Sequence, residues 1–228
     1  MAPLLGTAIL RSLPVTGSEL RGVGSRLAGF HTQWESLLGT CRATMVLQTG
    51  VVLQFISSPP LTRVPVSFGT RDSAHALQAA VDTLIAKGAV HRVRMRHSLG
   101  FYSRLFLVPK TTGELRPVID LSTLNLHLVI PHFRMETAGS VRSAIQRYEW
   151  TTSIDIQDAY LHIPMAAAAS RYLRFQVNRQ VYQFGCLPFG LATSPREFTK
   201  MLRPVVHLLR LQGIKVHVYL DDWLVRAD

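Results

Sequence analysis

Cysteine is nearly absent. Cys41 and Cys186 are the two in 228 residues, and they lie far apart. They form no CxxC pair and no disulfide framework, which favours a reducing compartment. No stretch reaches the ~20 consecutive apolar residues that a bilayer-spanning helix needs. The apolar segment at residues 4–10 is short and no basic residue precedes it, so it does not read as a signal peptide. The expectation is an intracellular chain, in cytoplasm or nucleus and not secreted, with no membrane partner. None of the nine histidines falls in an HExxH or a Cys/His cluster at zinc spacing, and no Walker-type phosphate loop is present. Acidic residues are scarce too: 14 Asp plus Glu face 25 Lys plus Arg, a formal charge of +11. That surplus suits a polyanion. Nucleic acid is the commonest such partner, with membranes and acidic proteins as the alternatives.

What is present reads as globular. Hydrophobic residues make up 47% and charged residues 17%, with room for one large domain or two small ones. Residues 1–30 show no sustained period and read as loose. Residues 31–70 read as short packed elements ending in the extended connector Ser57-Ser58-Pro59-Pro60. From Asp72, Leu77, Val81, Leu84 and Ile85 follow helical spacing, and Gly88 stops the run. The basic run from His91 to His97 reads as a solvated edge. Leu105 to Pro109 and Leu115 to Ile119 predict a hairpin. A helix is expected over 137–148, a buried strand over 151–156, and a second hairpin with Asn178-Arg179-Gln180 at its tip. Ser194-Pro195 opens the clearest helix, with Pro204 inside it and Gly213 closing it. An alternating strand from Ile214 to Leu220 runs into Asp221-Asp222, and Trp223 to Val225 is read as the returning strand. This mixed order suits an α+β domain better than a doubly wound sheet.

The acids draw attention. Asp155 sits among aliphatic residues in a predicted strand, where a charge is costly unless paired or bound to a cation. Asp221 and Asp222 repel each other and have no partner in the local sequence. A hard divalent cation such as Mg²⁺ resolves both problems. If the two strands pair, Asp155 and Asp221 face each other. They then bridge two ions ~3.5–4 Å apart, as in phosphoryl-transfer sites. The Ile156 carbonyl is a further candidate ligand. The ordinary readings stand beside this: Asp-Asp is common at turn tips, and Asp155 alone equally suits a buried Arg.

The order of segments adds a resemblance. Leu107-Val108-Pro109-Lys110, Arg116-Pro117-Val118-Ile119-Asp120-Leu121 with Leu124-Asn125, Ser153-Ile154-Asp155-Ile156-Gln157-Asp158-Ala159-Tyr160, Leu187-Pro188-Phe189-Gly190-Leu191 with Ser194-Pro195, and Tyr219-Leu220-Asp221-Asp222 follow one another. They resemble the successive fingers and palm motifs of reverse transcriptases. The style of Gly100-Phe101-Tyr102-Ser103, Pro131-His132-Phe133-Arg134-Met135-Glu136 and Asp221-Asp222-Trp223-Leu224 is similar to the DIRS-type (tyrosine-recombinase) retrotransposons. The resemblance is strong over residues 71–226 and weaker over 25–70.

The resemblance implies a right-hand polymerase fold, with a leader over 1–70 and fingers plus palm over 71–228. Asp155, Asp221 and Asp222 match the catalytic, metal-binding carboxylates, joined by the Ile156 carbonyl. Two Mg²⁺ ions are implied, with Mn²⁺ as the alternative. Arg116 and Lys110 match residues that grip the incoming triphosphate, and the backbone at Asp158 and Ala159 approaches it. Tyr160 matches the aromatic gate beneath the sugar. Phe189 and Gly190 match the loop near the incoming nucleotide and template; Phe189 stands where retroviral relatives use Gln. The implied partners are dNTPs and an RNA or DNA template with primer. The chain is expected to stop within an incomplete palm, without a thumb, and a thumb or RNase H region is expected on a longer polyprotein. Two functions of different class follow: an RNA-directed DNA polymerase, or a truncated, catalytically inactive retroelement product that only binds nucleic acid.

Overall fold

The computed structural model describes residues 22–63, 72–94, 99–109 and 113–227. After a 3-10 turn at Arg26–Phe30 come helices α1 (His31–Leu38) and α2 (Arg42–Thr49). Gly50 ends α2 at φ 80°; a Cβ there would lie 2.3 Å from the Ala166 nitrogen, so only glycine fits. Helix α3 (Ala74–Ala86) begins where the Ser73 hydroxyl accepts from the Ala76 N–H at 3.1 Å, an N-cap. Its Leu77, Val81 and Leu84 are buried, as their spacing predicts. Strand β1 (Val90–Arg92) follows, then β2 (Leu105–Pro109) and β3 (Leu115–Ile119), which pair antiparallel from Leu105↔Ile119 to Pro109↔Leu115.

Next come the single turn α4 (Ser122–Asn125), α5 (Ala138–Ala144), β4 (Trp150–Asp155), a 3-10 turn (Ala159–His162), α6 (Ala167–Ser170), β5 (Arg174–Val177) and β6 (Gln180–Phe184). The chain closes with α7 (Ser194–Leu211), β7 (Lys215–Tyr219) and β8 (Asp222–Ala227). The sheets are ordered β1-β6-β5, β2-β3 and β4-β8-β7. Helices and antiparallel sheets are thus mixed, as the element order predicts. The β5–β6 tip tightens to two residues, Asn178 and Arg179, both at positive φ. That is the conformation that matches the twist of a two-residue hairpin.

One core joins these parts. Val81, Ile163, Leu173, Phe175, Tyr182, Leu187 and Phe198 are buried together, and Leu47, Val51 and Leu53 from the N-terminal part join them. Burying each such side chain contributes about 1.5–3 kcal/mol. Helix α2 is fastened to α7 by Arg42, which meets the buried Glu197 at 2.5 Å.

Two expectations change. Strand β4 is exposed along its whole length rather than buried, with Trp150 79% and Ile154 50% exposed. The reason is its position: it is the outer strand of its sheet, and α7 packs against β7 at the opposite side. The helix expected to reach residue 148 stops at Ala144, and Ile145 is already extended. The Gln146 N–H donates to the Glu149 carboxylate at 2.8 Å, a local bond that competes with further helix.

Candidate active site

The site is built on the β7–β8 hairpin. Val216 and Val218 turn towards the core, and Tyr219 pairs with Asp222 to close the turn. The two residues between are Leu220 and Asp221. Leu220 sits at φ 55°, a left-handed conformation that a bulky residue adopts at a cost of about 1–3 kcal/mol. Asp221 is thereby fixed at the tip.

Asp155, at the end of β4, pairs in register with Asp222. Directly opposed residues of an antiparallel pair share a face, so these two carboxylates are neighbours and their repulsion is destabilising. The Ile156 N–H donates to the Asp221 carbonyl at 3.0 Å, tying the strand end to the turn. The direct strand contact expected between Asp155 and Asp221 is replaced by Asp155 with Asp222, because β8 lies between β4 and β7. Neighbour order in a sheet is set by packing, not by the local pattern. Among the described residues, Asp155, Asp221 and Asp222 make no ion pair and accept no side-chain hydrogen bond.

No group of three or more His, Cys, Asp or Glu side chains among the described residues is drawn together tightly enough to hold an ion. A closed cage is therefore not built. Mg²⁺ seldom uses one; it is held by one or two carboxylates plus substrate phosphates and water. Asp155, Asp221, Asp222 and the Ile156 carbonyl are all oxygen donors, the class of ligand that Mg²⁺ takes.

Tyr160 lies beside the carboxylates. Asp158, left-handed at φ 55°, starts the 3-10 turn that carries it, and Lys87 holds the Asp158 carboxylate at 2.7 Å. Ala159 and Tyr160 are buried. The Tyr160 ring packs on Phe189 at 4.8 Å and edge-on to Phe198 at 5.4 Å between centroids. Burial above all, then the charges of Asp221 and Tyr219, push its phenol up to about 12. The hydroxyl therefore keeps its proton at ordinary pH.

Phe189 continues the line outward. The Arg116 guanidinium on β3 lies 5.6 Å from its ring centroid, a cation–π distance. Gly190 stands at φ 94°, where a Cβ would meet the Ile119 carbonyl oxygen at 2.6 Å. The structure thus brings Arg116, Phe189, Tyr160 and the β7–β8 turn into one continuous row. Lys110 lies outside the described residues.

Residues 108–228 match the family model described as reverse transcriptase (RNA-dependent DNA polymerase). The chain belongs to that family. Curated relatives include the Transposon Tf2-3 polyprotein of Schizosaccharomyces pombe, 26% identical over 54% of this chain. The Gag-Pol polyprotein of bovine immunodeficiency virus is 25% identical over 74% of the chain. The retrovirus-related Pol polyprotein from transposon 412 of Drosophila melanogaster is 24% identical over 65%. The chain spans 9–12% of the length of these relatives.

In this reverse transcriptase chain, two positioning residues carry no role in the sequence reading, although Asn125 stands in one of its motifs. The Asn125 amide donates to the Gly190 carbonyl and accepts from the Ala192 N–H, both at 2.9 Å, so it clamps the loop that carries Phe189. An amide that both donates and accepts, next to the buried Leu124, was the available signal. Lys87, the partner of Asp158, left none: a lysine at a helix end is ordinarily a solvated charge.

Proposed function

We propose that the chain carries the polymerase centre of a retrotransposon's RNA-directed DNA polymerase, which transfers a nucleotide from a dNTP to a primer 3′-hydroxyl on an RNA or DNA template. The observation that carries this reading is the facing, cation-free pair Asp155 and Asp222, with Asp221 on the adjoining turn. The β2–β3 hairpin acts as fingers, and β4, β7, β8 and α7 as palm. Asp155, Asp221 and Asp222 would hold Mg²⁺, or Mn²⁺, which would supply charge neutralisation at the phosphates and a lowered pKa at the attacking hydroxyl.

The chain's own residues do the rest. Arg116, steered by the Phe189 face, offers a planar fork for a phosphate, and Lys110 on the same hairpin adds a point charge. The left-handed turn at Asp158, fixed by Lys87, presents backbone N–H groups of Asp158 and Ala159 to the triphosphate. Tyr160 lies under the sugar. Its ring is held on two sides by Phe189 and Phe198 and cannot retreat, so a 2′-hydroxyl is refused. Gly190 lets the loop lie flat against β3 beside the template base. Within the family, the DIRS-type retrotransposons are the proposed subgroup, supported by Gly100-Phe101-Tyr102-Ser103 and by Trp223-Leu224 after the acidic pair.

Primer extension tests this. With Mg²⁺, dNTPs and a primed RNA template, the chain is expected to extend the primer, and Asp155→Asn or Asp221→Asn to reduce extension to background. Extension surviving both substitutions refutes the carboxylate assignment. Salt-sensitive nucleic-acid binding without extension by the wild type supports the binding-only function instead.

A further inference from the structure

Helix α7 has a second face that the carboxylate site does not use. Its core side carries the buried Phe198, Met201 and Leu202. On the opposite side, Arg196, Lys200, Arg203, His207 and Arg210 recur at alternating steps of four and three residues, the spacing that keeps helical side chains in one row. Arg203, His207 and Arg210 are exposed, and Arg196 and Lys200 are half-buried. Arg42 of α2 adds a cation at the head of the row, where it and Arg196 share Glu197 at 2.5 and 2.6 Å. At the far end Arg210 meets Glu136 at 2.5 Å. Lys200 and Arg203, in the middle, make no ion pair among the described residues. Partial burial first, then the positive charges of Arg196, Arg42 and Arg203, hold the Lys200 ammonium below the ordinary lysine range.

Like charges at this spacing repel one another; Glu197 and Glu136 offset the two ends of the row, but among the described residues no carboxylate pairs with Lys200 or Arg203 in its middle. We propose that the row is a docking track for the sugar-phosphate backbone of a polynucleotide, a second contact separate from the carboxylate site. The five positions span about 21 Å of helix. A nucleic-acid strand passes a phosphate about every 3.4 Å along a duplex axis, so a track of this length meets several. A lipid surface fits less well, because interfacial helices insert apolar side chains beside their cations, and Phe198, Met201 and Leu202 are committed to the core. An acidic protein fits less well too, since the row has no aromatic anchor of the kind that dominates protein interfaces. The contact has no base-reading geometry and is indifferent to sequence.

The test is binding without catalysis. Fluorescence anisotropy of a labelled RNA, and of an RNA–DNA duplex, is followed over about 50 to 200 mM salt, with EDTA and no dNTP. Lys200→Gln with Arg203→Gln is expected to weaken binding about tenfold at low salt and to lower the salt slope by about 2. Lys200→Arg with Arg203→Lys, which keeps both charges, is expected to keep both values. Three results overturn the proposal: equal affinity and slope in the neutralised variant, no RNA binding by the wild type, or loss in the charge-keeping variant as well. Selective loss of binding to phosphatidylserine vesicles or polyglutamate, with RNA binding intact, reassigns the row to those partners and also overturns it. Because no metal or dNTP is present, failure of primer extension with this result intact removes the polymerase reading alone.

Discussion

A buried phenol against a turn of acids is an unusual neighbour. Tyr160 is 8% exposed, wedged by Phe189 and Phe198, and its proton is retained by burial and by the Asp221 charge. A side chain so confined acts by shape. Replacing it with alanine removes the ring and opens a cavity under the proposed sugar position. Tyr160→Ala is therefore expected to reduce the preference for dNTP over rNTP by about tenfold or more, at a stability cost of about 3–5 kcal/mol typical of a lost core aromatic. Single-nucleotide incorporation with matched dNTP and rNTP series measures it. Unchanged selectivity in a folded variant would remove the gate role. The nearby acids differ in their partners: Asp158 has Lys87 and Glu197 has two arginines, whereas Asp155, Asp221 and Asp222 have no cation among the described residues.

Between elements, charge does the fastening that apolar area does not. At the end of β4 opposite Asp155, Glu149 accepts from the Gln146 N–H and meets Arg226 at 2.6 Å and Lys215 at 3.1 Å. It thus joins the loop before β4 to β7 and β8. The Gln146 hydrogen bond first, then the two cations, hold its carboxyl down to about 2 from an ordinary 4.5. A carboxylate whose folded pKa is depressed stabilises fully above its unfolded pKa and loses that contribution as pH falls towards the folded value. The gap in urea midpoint between wild type and Glu149→Gln is expected to be constant above about pH 4.5 and to close between about pH 4.5 and 2. A gap that persists at the acid end would contradict the fastening role.

Much at this scale was legible in the sequence. The alternation through β7, the Ser194-Pro195 start of α7 and the Leu105–Ile119 hairpin are local patterns, and local patterns specify local structure. The exposure of β4 and its choice of β8 as neighbour were not legible. Period-two patterning tells which side chains share a face, not which strand lies alongside. Long-range partners such as Lys87 with Asp158, or Asn125 with Gly190, leave no spacing to read. Of the site, the residue types came from the sequence, and the row from Arg116 through Phe189 and Tyr160 to the turn came only from the fold.

Across the whole molecule, one core carries two chemically opposite surfaces. A formal charge of +11 spreads over the chain, while Asp155, Asp221 and Asp222, without a cation partner among the described residues, lie together at the β4–β8 end. On the proposed function, the basic surplus draws a polyanionic substrate, and a divalent cation would let its phosphates approach the carboxylates. The central claim is that Asp155, Asp221 and Asp222 form an open divalent-metal site completed by a nucleoside triphosphate. Electron paramagnetic resonance of Mn²⁺, titrated into the chain with and without dNTP, tests it most directly. The expected result is Mn²⁺ binding that tightens when dNTP is present and is lost in both Asp155→Asn and Asp221→Asn. Equal Mn²⁺ binding by wild type and both variants would contradict it.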